Sequence, residues 1–204
     1  MISVIALVVS LLSPSFPVAQ EQAPDLAGLL VERGAFDLAR TNAALAQRHT
    51  KAALRQTDLA AMKAEVVAAV HAIDPSLVPQ GAAVGPGLRS ALAAAVERLL
   101  ALQATGGEGE AGLRATAASV AGQTALMRTD EALREAWGAL AAASTSQAIP
   151  SLVRLDDQLN RIQVGQDVDG DGQVSWNQGE GGIQQAWSFT RQMAIAEGVE
   201  VARR

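Results

Sequence analysis

Between positions 38 and 73 an apolar residue returns every seven places: Leu38, Leu45, Ala52, Leu59, Val66 and Ile73. That recurrence keeps one seam of a helix against its neighbour, whereas a half-buried strand repeats every second residue. It predicts helices through this region, and the composition agrees. Hydrophobic residues fill 49% of the 204 positions, much of that alanine, while aromatic residues reach only 3% and tyrosine is absent. Alanine is the best helix former, and strands draw instead on β-branched and aromatic side chains. A chain of this length can build one domain with its own core.

Punctuation divides the chain. The stretch "QTDL" (56–59) is predicted to open a second helix, with Thr57 or Asp58 as its cap. "DPSLVPQGAAVGPG" (74–87) is too rich in Pro and Gly to be anything but a loop, and a helix follows over about Leu88 to Gln103. "TGGEGEAG" (105–112) interrupts again. Beyond it "LRATAASVAGQTALMRTDEALREAWGALAAA" reads as one long helix, or as two meeting near Thr129 and Asp130. "STSQAIP" is expected to turn the chain. Leu152, Leu155, Leu159 and Ile162 then share one helix face, and "IQQAWSFTRQMAIAEGVEVARR" closes the sequence as another helix. Trp137 and Trp187 are expected to anchor the core. Helices joined this way pack most simply as an all-α, antiparallel helical bundle.

The opening "MISVIALVVSLLSPSFPVAQEQAP" carries an uncharged apolar run from Ile2 to Leu12. A bilayer span takes roughly 20 residues, so the run suits the core of a secretory signal better than a membrane anchor. Residues 1–19 are therefore expected to be a signal peptide, 20–150 a helical bundle, and 151–204 a helix–loop–helix packed on the same bundle. The expected location is periplasmic or secreted, with no stable membrane insertion after cleavage. Cysteine is absent, which excludes disulfides, thiolate metal sites and cysteine nucleophiles. A formal charge of -5 with scattered Lys and Arg is a poor footprint for nucleic acid.

Catalytic patterns fail on context. "GEGEAG" (107–112) satisfies Gly-x-Gly-x-x-Gly, but that fingerprint needs a strand before it, and Glu108 and Glu110 would repel phosphates. There is no Gly-x-Ser-x-Gly elbow and no His-Glu-x-x-His. His49 and His71 are too far apart for one helical turn to bring both to a metal. Each is expected to be a solvated or satisfied helix residue, with His71 kept as a candidate metal or haem ligand because a helix meets a long loop there. Asp156 and Asp157 are adjacent on a helix and point in different directions. No catalytic activity is expected.

One stretch departs from the Ala-rich background: "DVDGDGQVSWNQGEGG" (167–182). Asp167, Asp169 and Asp171 alternate and run into Gly172, with Gln173 and Ser175 beyond. This resembles an EF-hand calcium loop lying between the last two helices. Such a loop takes side-chain oxygens from positions 1, 3 and 5, a glycine bend at 6, a backbone carbonyl at 7, often a water at 9 and a bidentate Glu at 12. The resemblance implies Asp167, Asp169 and Asp171 as ligands, Gln173 through its carbonyl, and Ser175 at the ninth place. Position 12 is Gln178, and the next carboxylate is Glu180, two places later. Either Glu180 swings in through a glycine-loosened backbone, or Gln178 leaves a weaker, wetter site.

The continuation "VSWNQGEGGIQQA" resembles a tail of uncharacterised exported bacterial helical proteins that usually carry Glu where Gln178 stands. Calcium (Ca²⁺) is the implied cofactor, and with a single loop its expected role is structural. The alternative is a periplasmic protein-interaction or transition-metal-handling module, with an unknown protein partner on the helical seam or a metal at His71.

Overall fold

The computed structural model describes residues 26–30, 34–105, 109–177 and 179–198. The expected signal peptide at 1–19 lies outside them. Described residues form α1 (Leu26–Leu30), α2 (Ala35–Ala53), α3 (Leu59–Ile73), α4 (Gly87–Thr105), α5 (Glu110–Ala141), α6 (Thr145–Val164) and α7 (Ile183–Ala196). No strand occurs among them. The protein is an all-α antiparallel bundle.

Its core is an alternation of large and small ladders. On α4 the buried line is Leu88, Leu92, Ala95, Leu99 and Leu102; on α6 it is Ala148, Leu152, Leu155, Leu159 and Ile162. Opposed to these are two ladders of small residues. In α5 the line is Ala115, Ala118, Gly122, Ala125, Thr129, Ala132, Ala136 and Ala139, and in α2 Ala39, Ala43, Ala46, Thr50 and Ala53. Both repeat with alternating three- and four-residue steps, the spacing of a helix seam. Each of α2 and α5 packs against both α4 and α6, so leucine layers meet alanine layers on every side. The alanine faces let neighbouring helices approach closely, and the leucines opposite fill the space between them. Helix α3 packs on α2, α4 and α5, and α7 on α1, α2, α5 and α6.

These ladders correct the expected seam. Of the six residues spaced by seven, only Val66 and Ile73 are buried; Leu38 and Leu45 flank the core of α2 rather than form it. The chain also breaks between Ala53 and Leu59, so no single seam runs through 38–73. Asp58 caps α3, its carboxylate accepting the Ala61 N–H at 2.8 Å. The long helix over 110–141 is continuous through Thr129 and Asp130. "STSQAIP" proves mostly helical: Ser144 caps α6 by accepting from the Gln147 N–H at 3.3 Å, and Pro150 lies inside that helix. As the sixth residue of α6 it lies past the first turn, and its ring leaves the Ser146 carbonyl without the i+4 N–H that would otherwise bond it. Trp137 is 43% exposed and does not anchor the core, whereas Trp187 packs against its edge.

The 74–86 loop is pinned at both ends of its course. Asp74 accepts from the Ser76 N–H at 3.0 Å and the Ser76 hydroxyl at 2.6 Å. Asn42, fully buried on α2, accepts the Val84 N–H at 2.8 Å and donates to the Val84 carbonyl at 2.8 Å. His71 receives the Ala83 N–H on Nδ1 at 3.1 Å, which leaves the proton of the neutral ring on Nε2. No described helix is long and apolar enough to cross a membrane.

Candidate metal centre

The connection from α6 to α7 occupies 165–182, and its first part is knitted by its own carboxylates. Asp167 accepts the Gly170 N–H on Oδ1 at 2.7 Å and the Gly172 N–H on Oδ2 at 2.9 Å. Asp169 accepts the Asp171 N–H at 3.1 Å, and Asp171 the Gln173 N–H at 2.7 Å. Gly172 has φ +84°, a left-handed bend that most side chains would resist. The aspartates thus fold the segment back on itself, and short polar side chains that bond nearby N–H groups are suited to do so.

The second part brings in Glu180, the residue whose placement was left open by the spacing. Its side chain is buried, with 1% exposure. Oε1 accepts the N–H groups of Val168 at 3.0 Å and Asp169 at 3.3 Å, while Oε2 accepts that of Ser175 at 2.8 Å. The Ser175 hydroxyl lies in reach of both Glu180 and Asn177 Oδ1, the latter at 2.6 Å. The hydroxyl and N–H of Ser175, then the Val168 and Asp169 N–H groups, hold the Glu180 carboxyl down at about 2 against the opposing effect of burial.

Oxygens of Asp167, Asp169 and Glu180 consequently lie within 4.8 Å of one another, the one such acidic or histidine group among the described residues. Asp171 does not join it. Gln173 and Ser175 contribute N–H groups to the carboxylates of the turn, and Gln178 lies outside the described residues. His71 is engaged with the 74–86 loop instead, and His49 pairs through Nδ1 with Glu65 at 2.7 Å. Among the described residues none of Asp167, Asp169, Asp171 or Glu180 forms an ion pair with a basic side chain. Among the described residues the four carboxylates of this short turn thus have N–H groups and the Ser175 hydroxyl, and no basic side chain, to offset their charge.

Arg128, a residue the sequence reading passed over, holds the segment from below. It sits on α5 with 7% exposure. Its Nη1 donates to the Arg161 and Gly181 carbonyls, each at 2.9 Å, and to that of Glu180 at 3.4 Å; Nη2 donates to Gly179 at 2.5 Å. Burial, and next the nearby Arg161 charge, lower its pKa, while Glu131 acts the other way. An arginine stays charged through such a shift. Its charge is offset by carbonyl dipoles, including that of Arg161 in the last turn of α6, where the helix dipole favours a cation. The available signal was positional: Arg128 is seven residues from Ala121 and shares its face of α5. Gly181 lies against that same Ala121, where an added Cβ would be 2.6 Å from the alanine Cβ.

These bonds give the protein a defined acid response. The folded Glu180 carboxyl titrates at about 2, below its ordinary 4.5. Its contribution to stability is present above pH 4.5 and is lost as pH falls toward 2. Urea unfolding over that range should show wild-type stability falling more steeply than that of Glu180→Gln. Parallel profiles would mean that the carboxylate is not held by these N–H groups.

Compared with family models, curated proteins and solved structures, the chain finds no match.

Proposed function

We propose that the 167–180 turn binds a divalent cation, that the ion is calcium, and that it serves to fix α6 against α7. The observation that carries this reading is the convergence of Asp167, Asp169 and Glu180 oxygens within 4.8 Å, with no basic side chain among the described residues paired to any of them. An all-oxygen, carboxylate-rich donor set suits calcium rather than zinc or copper. In this reading Glu180 takes the part that a twelfth-position Glu plays in an EF-hand loop. Its oxygens already accept three N–H bonds, which leaves it less to give an ion. Affinity in the range of about 10⁻⁴–10⁻³ M follows, the level of extracellular calcium modules. That range agrees with export, which the apolar run Ile2–Leu12 supports. The protein acts in this reading as a non-catalytic, calcium-stabilised bundle.

Calcium should therefore raise the melting temperature. At 100 times its dissociation constant, a ligand of the native state adds about 2.7 kcal/mol. For a chain of this size that corresponds to a rise of roughly 5–10 °C over the protein in EDTA. Asp167→Ala should abolish the rise. Identical melting in calcium and in EDTA would sink the reading.

A further inference from the structure

We infer that Arg128 is the positioning residue of the loop: by gathering the carbonyls of Gly179, Glu180 and Gly181 it sets where the Glu180 carboxylate stands. The inference deepens the calcium reading, and its first test does not require that reading to be right.

Glu180 stands two places beyond the acidic position of an EF-hand loop, so the extra backbone must be taken up before its side chain can turn inward. Gly179, with φ +80°, makes the bend. The turn is closed by its own main-chain bond, from the Glu180 N–H to the Asn177 carbonyl at 2.9 Å, and Arg128 fixes where that closed turn stands against α5 and α6. Its fork spans from the Arg161 carbonyl at the end of α6 to three successive carbonyls of the incoming chain. The Glu180 carbonyl is held a second time, by the Gln166 N–H at 2.8 Å. With its main chain fixed at this point, the Glu180 side chain reaches across to Val168, Asp169 and Ser175. A planar guanidinium can bridge carbonyls lying in different directions, and a lysine ammonium, a point charge, cannot reproduce that fork.

Amide hydrogen exchange of metal-free Arg128→Met and Arg128→Lys tests this. In Arg128→Met the amides of Val168, Asp169 and Ser175 should exchange faster by roughly tenfold or more, the scale of losing a charge-assisted hydrogen bond. Those of Leu92 and Leu99 in α4 should keep their protection, because the opening is local. Arg128→Lys should show the same selective change, smaller in size. Unchanged loop protection overturns the inference, and so does equal acceleration throughout the chain, which would mark Arg128 as a general support. If Arg128→Met does not fold, Arg128→Lys decides by the same readings.

The second readout is terbium bound to the loop, with its coordinated waters counted from emission lifetimes in H₂O and D₂O. Arg128→Lys should bind terbium more weakly and with at least one more water than wild type. Equal water count and affinity in the two proteins overturn the inference. A wild-type protein that binds no terbium sinks the calcium reading instead, and the exchange experiment then decides the role of Arg128 alone.

Discussion

Leu155→Ala is expected to destabilise the protein by about 4 kcal/mol, toward the upper end of leucine truncations in buried cores. Leu155 is fully buried on α6, in the ladder that faces the small-residue lines of α5 and α2. The cost of such a truncation depends on whether neighbours can move into the space. Here the buried lines of α5 and α2 are made of alanine, glycine and threonine, which have no long side chain to swing in. The cavity should stay open, and the loss should exceed what transfer of the missing carbons alone would give. Urea unfolding followed by helical circular dichroism measures it. A loss near 1 kcal/mol would mean that the helices close up, and that the ladder alternation does not fix their separation.

The second large effect is expected at Gly182, where a usual stabilising change should fail. Gly182 is the N-cap of α7, and serine at such a position ordinarily adds a few tenths of a kcal/mol over glycine. Its backbone is extended, at φ -136°, so any residue could adopt it. Space is the obstacle. A Cβ there would stand 2.5 Å from Gly165 N, 2.9 Å from the Ile162 carbonyl oxygen and 3.0 Å from that of Arg161. All three are backbone atoms at the end of α6, and Gly165 N is itself bonded to the Arg161 carbonyl at 2.9 Å. Nothing flexible can yield, so Gly182→Ser should cost about 3 kcal/mol by overpacking. A Gly182→Ser protein as stable as wild type would show that α7 can start farther from α6.

Much of the fold was legible because the helices announce themselves locally. Asp58 as a cap, the 74–86 loop, and the stripe from Leu152 to Ile162 all depend on residues a few places apart. The helix partnerships were misread where alanine does the packing. A leucine at 38 or 45 attracts attention as a core residue, yet Ala39, Ala43 and Ala46 are the ones buried, because close approach of α2 to its neighbours needs small side chains. Trp137 misled in the same way, since size alone does not say which face of α5 is covered.

At the candidate site Asp167, Asp169 and the bend at Gly172 were readable from their spacing, while Asp171, expected as a third ligand, stands outside the group. The position of Glu180 was not. It depends on Gly181 lying against Ala121 and on the reach of Arg128 from α5, contacts made across more than fifty residues of chain. No local window of sequence contains both partners.

Titration of terbium into the metal-free protein, with tryptophan excitation and calcium as competitor, tests the central claim most directly. Trp176 lies within the turn, one residue from Ser175, and packs against the edge of the core, so an ion held by Asp167, Asp169 and Glu180 should be sensitised. Saturable emission is expected, reversed by calcium, lost in Asp167→Ala and weakened in Glu180→Gln. An absence of sensitised emission up to millimolar terbium, with helicity intact, would contradict cation binding by this loop.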